Sequence, residues 1–111
     1  MNNLTNLEPK NVFKWFYEIN QYPRSSGNEK AVSDFLVKFA KERNLEVYQD
    51  KALNVIIKKA GTLGFENSKT VIIQGHMDMV CVKTDDSNHN FETDPIEMIV
   101  DEDIIRANKR S

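Results

Sequence analysis

The decapeptide Val71-Ile72-Ile73-Gln74-Gly75-His76-Met77-Asp78-Met79-Val80 constrains this chain more than any other stretch. Three consecutive β-branched residues, Val71 to Ile73, leave no polar face, which is the pattern of a buried strand. Gln74 and Gly75 then thin the side chains, and a glycine lets another backbone or a ligand come close. His76 and Asp78 follow, two residues apart. In extended backbone a period of two sets both side chains on one face. An imidazole and a carboxylate together at the carboxyl end of a strand suit metal binding: the imidazole ligates and the carboxylate orients or polarises the site. Open α/β sheets place their ligands at that same end. A His-x-Asp triplet also occurs as an ordinary surface pair, and a stable metal site takes three or four ligands. Spacing alone leaves both readings open.

Length and composition narrow the setting. A chain of 111 residues is expected to form at most one domain with a modest core. The net charge of −2 is spread along the chain without long blocks, so composition offers no basic face for nucleic acid. No apolar run reaches the roughly 18–20 residues of a membrane span, and Met1 to Asn6 lacks a signal-peptide pattern. Cys81 is the only cysteine, which excludes an intramolecular disulfide and favours a reducing compartment. The cytoplasm is the expected location.

Taken in order, residues 1–8 read as a polar, frayed end. Pro9 suits a helix start, and Val12, Phe13, Phe16, Tyr17 and Ile19 recur at helical spacing to about Asn20. Tyr22 to Gly27 is a break. Ser26-Gly27-Asn28-Glu29 has the spacing of a capping box, with a hydroxyl at the cap and a carboxylate three residues on. Ala31, Val32, Phe35, Leu36, Phe39 and Ala40 then form one apolar helical stripe. Asn44 is its expected left-handed stop. Leu45–Tyr48 and Asn54–Lys59 read as paired strands turning at Asp50-Lys51-Ala52, and 61–69 as a loop. The central strand is expected over Thr70–Gly75. Lys83–Asn90 reads as a long exposed loop, and Ile96–Val100 with Ile104–Arg106 as a hairpin around the acidic turn Asp101-Glu102-Asp103.

The words "VIIQGHMDMV" and "NHNFETDPI" resemble the opening third of the aminoacyl-histidine dipeptidase group, within the zinc peptidase family that also holds carnosinase and peptidase T. "LEPKNVFKWFYEINQYPRSSGNEKAVSDFLVKFAKERNLEVYQD" is similar to that group's first two helices and first strand, so the resemblance runs from about Leu7 to Ala107. It implies an α/β fold, the N-terminal part of a zinc-peptidase catalytic domain: two helices, then a mixed sheet and a C-terminal hairpin. His76 matches the family's first zinc ligand. Asp78 matches the catalytic carboxylate beside it, which steers the electrostatics and orientation of the metal site. Met77 and Met79 would point the other way, into packing.

The same resemblance shows what this sequence lacks. The family continues with a Gly-rich segment holding an Asp that bridges two zinc ions, a pair of glutamates that supply base and ligand, another acidic ligand and a last His. A smaller inserted domain is absent too. Residues 1–111 therefore read as a truncated N-terminal part of the catalytic domain. No Glu here matches the family's base. His89 reads as a loop histidine, Cys81 as a packing residue near the site, since no base or positive cluster lowers its pKa, and Asp101-Glu102-Asp103 as a solvated turn too poor in ligands for calcium.

Two expectations follow from different classes. One is a zinc-dependent dipeptidase that hydrolyses Xaa-His and other dipeptides by metal-activated water, this chain being an incomplete part and inactive alone. The other is an inactive remnant or partner-binding α/β piece, associating through an exposed sheet edge.

Overall fold

The computed structural model describes residues 3–108. They form a 3-10 turn at Asn3–Asn6, helices α1 (Lys10–Ile19) and α2 (Lys30–Glu42), and strands β1 (Glu46–Gln49), β2 (Val55–Lys58), β3 (Met98–Asp101) and β4 (Ile104–Ala107). The class is α/β, as the sequence implies. The chain divides into two compact units, Met1–Val32 with Asp78–Ser111, and Ser33–Met77.

In the first unit Asn3–Asn6 is a 3-10 turn and not a frayed end; residues 1–2 of the expected frayed stretch lie outside the described residues. Leu4 is fully buried, and its 3-10 turn packs against α1 and β3. One apolar side chain in a polar stretch suffices to dock the segment, because burying a leucine contributes about 1.5–3 kcal/mol. α1 ends at Asn20, a buried polar residue whose every group is used. Its Nδ2 donates to the Phe16 carbonyl at 2.8 Å and to Met98 Sδ at 3.7 Å. Its Oδ1 accepts from Arg24 Nη2 at 2.9 Å, and its carbonyl accepts from the Ile96 amide at 3.0 Å. The hairpin of β3 and β4 pairs antiparallel, Met98 with Ala107 through Asp101 with Ile104, around Glu102 at φ 55°. That matches the expected acidic turn. The stretch before it is less exposed than its polarity suggests: Ser87 and His89 are buried, and Lys83 Nζ donates to the His89 carbonyl at 2.7 Å.

In the second unit, α2 closes as its sequence implies. The Leu45 amide donates to Ala40 and the Asn44 amide to Lys41, with Asn44 at φ 56°; this double bond at a left-handed residue is the Schellman stop. Arg43 donates to the Phe39 carbonyl at 3.1 Å and lies 3.7 Å over the Phe39 ring. β1 and β2 pair antiparallel, Glu46 with Lys58 through Gln49 with Val55. Their turn is held by Asp50, which accepts from the Asn54 amide (2.8 Å) and the Asn54 side chain (2.9 Å). Those bonds hold the Asp50 carboxyl below its ordinary value, the side-chain bond contributing most. Buried Ser33 on α2 donates to the Leu53 carbonyl at 2.7 Å and accepts from Gln49 Nε2 at 2.8 Å, tying helix to hairpin.

Two further expectations are corrected. The expected mixed sheet resolves into two separate antiparallel pairs, because Thr70–Gly75 forms no strand among the described residues. Val71, Ile72 and Ile73 are 82, 85 and 95 % exposed. A strand apolar on both faces needs an edge to pair with and layers above and below; the described residues supply neither. The capping box also fails. α2 begins at Lys30, four residues beyond Ser26, so the Ser26 hydroxyl is too early to cap it, and Glu29 Oε1 instead accepts from the Gly27 amide at 2.8 Å.

Candidate functional site

His76 belongs to the second unit, at the end of the unladdered segment, and its side chain is exposed. Gly75 before it is open: a Cβ there would meet nothing within 4 Å, so no described backbone makes the close approach a glycine permits.

Asp78 belongs to the first unit and is half-buried. Its surroundings are built by the break between the helices. Ser25 forms an isolated parallel bridge with Met79, and the Met79 amide donates to the Arg24 carbonyl at 2.9 Å. The Asn28 amide closes a four-residue turn onto the Ser25 carbonyl at 2.8 Å, with Gly27 at φ 88°. A positive φ at the third position is what a type II turn requires, and glycine meets it without strain. Ser26, at the second position of that turn, donates its hydroxyl to Asp78 Oδ2. A carboxylate 52 residues away in sequence thus receives a hydroxyl that the capping pattern assigned to a helix. Ser26 is the residue sequence reasoning missed. The signal available was the late start of the apolar stripe at Ala31, which leaves room for Ser26 to face elsewhere.

The turn is braced from behind. Arg24, held by Asn20, loses water contact on burial, which lowers its guanidinium pKa while leaving it charged. Asn28 Nδ2 donates to the Glu92 carbonyl at 3.4 Å. Alongside, Arg24, Met79, Cys81, His89, Phe91 and Asp94 line a small crevice. The His89 ring is buried edge-on to Phe91, with centroids 4.7 Å apart. That is a packing role. Cys81 is half-buried and its Sγ donates to the Met79 carbonyl at 3.5 Å. Asp94 is held below its ordinary value, chiefly by the Asn90 amide, with smaller help from the Thr93 hydroxyl, His89 and Lys83.

Among the described residues no three His, Cys, Asp or Glu side chains gather to hold a metal ion. The donors present are an exposed imidazole and a serine-held carboxylate, and alone they do not fit a zinc site of defined geometry. Among the described residues, too, no helix is long and apolar enough to cross a membrane.

No protein-family model matches the chain. It is 36% identical over 107 residues to the cytosol non-specific dipeptidase of Escherichia coli K12, covering 96% of this chain and 22% of that protein. The crystal structure of aminoacylhistidine dipeptidase from Vibrio alginolyticus superposes with a TM-score of 0.89 at 36% identity, over 95% of this chain and 21% of that one. The chain therefore spans about a fifth of the length of the relatives it matches.

Proposed function

We infer, for a chain similar by sequence and fold to a fifth of two dipeptidases, membership of the aminoacyl-histidine dipeptidases and a part in the hydrolysis of dipeptides, Xaa-His dipeptides included, in the cytoplasm. His76 is one ligand of a zinc site, and Asp78 is the carboxylate that orients it. The observation that carries this is the His76-Met77-Asp78 word itself, inside a match of 36% identity, with its carboxylate fixed by Ser26. Zinc, when bound, supplies a Lewis acid for the peptide carbonyl and lowers the pKa of the attacking water. One imidazole and one carboxylate do not by themselves hold that ion. The further ligands and the base come from additional chain or from a partner.

A second reading, a partner-binding α/β piece without turnover, is favoured by the unpaired Val71–Ile73 run.

A chimaera separates the two. Residues 1–111 replace the matching fifth of the Escherichia coli relative, and zinc content and dipeptide hydrolysis are measured with and without His76→Ala. The enzymatic reading expects turnover in the chimaera and its loss, with loss of zinc, in the variant. A folded chimaera whose zinc and turnover are indifferent to His76 overturns it. The 111-residue chain alone is expected to bind zinc sub-stoichiometrically and to show no turnover; tight zinc and His76-dependent turnover would overturn that expectation.

A further inference from the structure

We propose that Cys81 is a site of oxidation by hydrogen peroxide, which enters the crevice beside Arg24 and Phe91 and there meets the Cys81 thiol and the His89 imidazole. The inference goes beyond the hydrolytic reading and does not depend on it. Every residue it uses belongs to the first compact unit.

The sequence around Cys81 offers no base, but the fold brings His89 to the wall of the same crevice. His89 is 5 % exposed, and packing edge-on to Phe91 sets the plane of its ring. Its hydrogen bonds among the described residues are made by the backbone: the carbonyl accepts from Lys83 Nζ, and the amide donates to the Ser87 hydroxyl at 3.2 Å. The ring nitrogens make none. A buried imidazole with both nitrogens uncommitted is costly unless a polar molecule reaches it. The space for that molecule is small, about 10 Å³, which seats something the size of one water. Size therefore selects among the oxidants of a thiol. An oxygen of hydrogen peroxide fits, whereas the body of an alkyl hydroperoxide or a disulfide does not.

Cys81 is held for the encounter. The Met79 amide is bonded to the Arg24 carbonyl, and the Cys81 thiol donates to the Met79 carbonyl at 3.5 Å, which leaves the sulfur lone pairs uncommitted. One of those pairs attacks the nearer peroxide oxygen, and the S–O bond forms as the O–O bond breaks. The thiol hydrogen turns from the Met79 carbonyl to a His89 nitrogen, which takes the proton and returns it to the departing oxygen. Thiol and peroxide thus become sulfenic acid and water; sulfur loses two electrons and the peroxide gains them. The Arg24 guanidinium on the crevice wall favours the negative charge that develops in passing, and Asp94 on the same wall opposes it.

The test treats the full 111-residue chain with hydrogen peroxide near neutral pH, folded and in urea, with dimedone present to trap sulfenic acid. Peptide mass spectrometry follows the adduct at Cys81 and, separately, sulfoxide at Met79, which lines the same crevice. Cys81 is expected to react about tenfold faster in the folded chain than in urea, the gain from a positioned imidazole being partly offset by restricted access. His89→Gln is expected to remove that advantage in the folded chain and to change nothing in urea. Cumene hydroperoxide is expected to reverse the order and react more slowly with the folded chain. A thiol no faster folded than unfolded overturns the proposal. So does an unchanged rate in a His89→Gln chain whose Met79 amide stays protected from exchange, or sulfoxide at Met79 without an adduct at Cys81. If His89→Gln does not fold, the parent chain with the two peroxides decides: equal ratios of folded to unfolded rate for both overturn the proposal.

Discussion

Replacing Leu4 by alanine tests whether the amino-terminal turn is part of the fold or an appendage. Leu4 is one of four fully or nearly fully buried apolar side chains among the described residues, with Val32, Ala40 and Met98. The substitution removes three carbons, which at about 0.8 kcal/mol per methylene is a transfer loss of roughly 2.4 kcal/mol. A residual cavity would raise this toward the 2.7–5.0 kcal/mol range known for rigid cores. A short 3-10 turn can settle into the space, so the lower end, about 2.5 kcal/mol, is expected. A chain of this length has about 5–15 kcal/mol of stability in all. Urea unfolding followed by far-UV circular dichroism measures the change, with Asn6→Ala, an exposed position in the same turn, as control. With a slope of about 1.5 kcal/mol/M, the midpoint should fall by roughly 1.7 M at unchanged slope. A shift no larger than that of Asn6→Ala would refute the reasoning and restore the picture of a frayed end.

Other perturbations follow from single contacts. Gly61→Ala should destabilise the second unit by about 1 kcal/mol, because the new methyl collides with the Phe65 carbonyl, whereas Gly75→Ala meets no atom and should be neutral in the same urea assay. Acid should expose the Asp50 turn. Its carboxyl is lowered in the folded chain, so its contribution is present above the ordinary carboxylate range and lost as pH falls through and below it. Asp50→Asn should therefore show a smaller stability drop than the parent between about pH 5 and pH 2; an equal drop would contradict the assignment. Gly27→Ala should cost about 1 kcal/mol of stability, since φ is 88° and the space around it is open. A variant as stable as the parent would show that the turn adopts another backbone.

Local chemistry was legible in the sequence where it closes on itself. The Asn44 stop, the β1–β2 and β3–β4 hairpins and the stripe of α2 are each fixed by residues within a few positions of one another, so pattern suffices. What failed was non-local. Leu4 lies in a stretch read as frayed because β3, one of the elements its turn packs against, lies far along the chain. Ser26 matched a local capping pattern, and only the fold shows that its hydroxyl answers to Asp78. His89 sits in a polar stretch yet is buried, because Lys83 and Phe91 close around it. The run at Val71–Ile73 reads as a buried strand from its local pattern, yet among the described residues it is exposed and without a ladder, because burial is decided by partners that a local pattern does not carry. The His76–Asp78 word was visible at once, whereas the turn bracing its carboxylate was not.

The bareness of Val71–Ile73 also governs how this chain behaves in a test tube. Three successive β-branched residues, flanked by Thr70 and Gln74 and carrying no charge, form a short segment of high strand propensity without a proline. Left unpaired, such segments template intermolecular stacking of identical strands. Lys69 is the nearest charge on the amino-terminal side and Asp78 the nearest carboxylate on the other, so electrostatic gatekeeping is thin. A charge placed inside the run, as in Ile72→Lys, should therefore lower turbidity at high protein concentration, whereas the charge-neutral Ile72→Val should not. The colloidal life of the chain is set by these few residues.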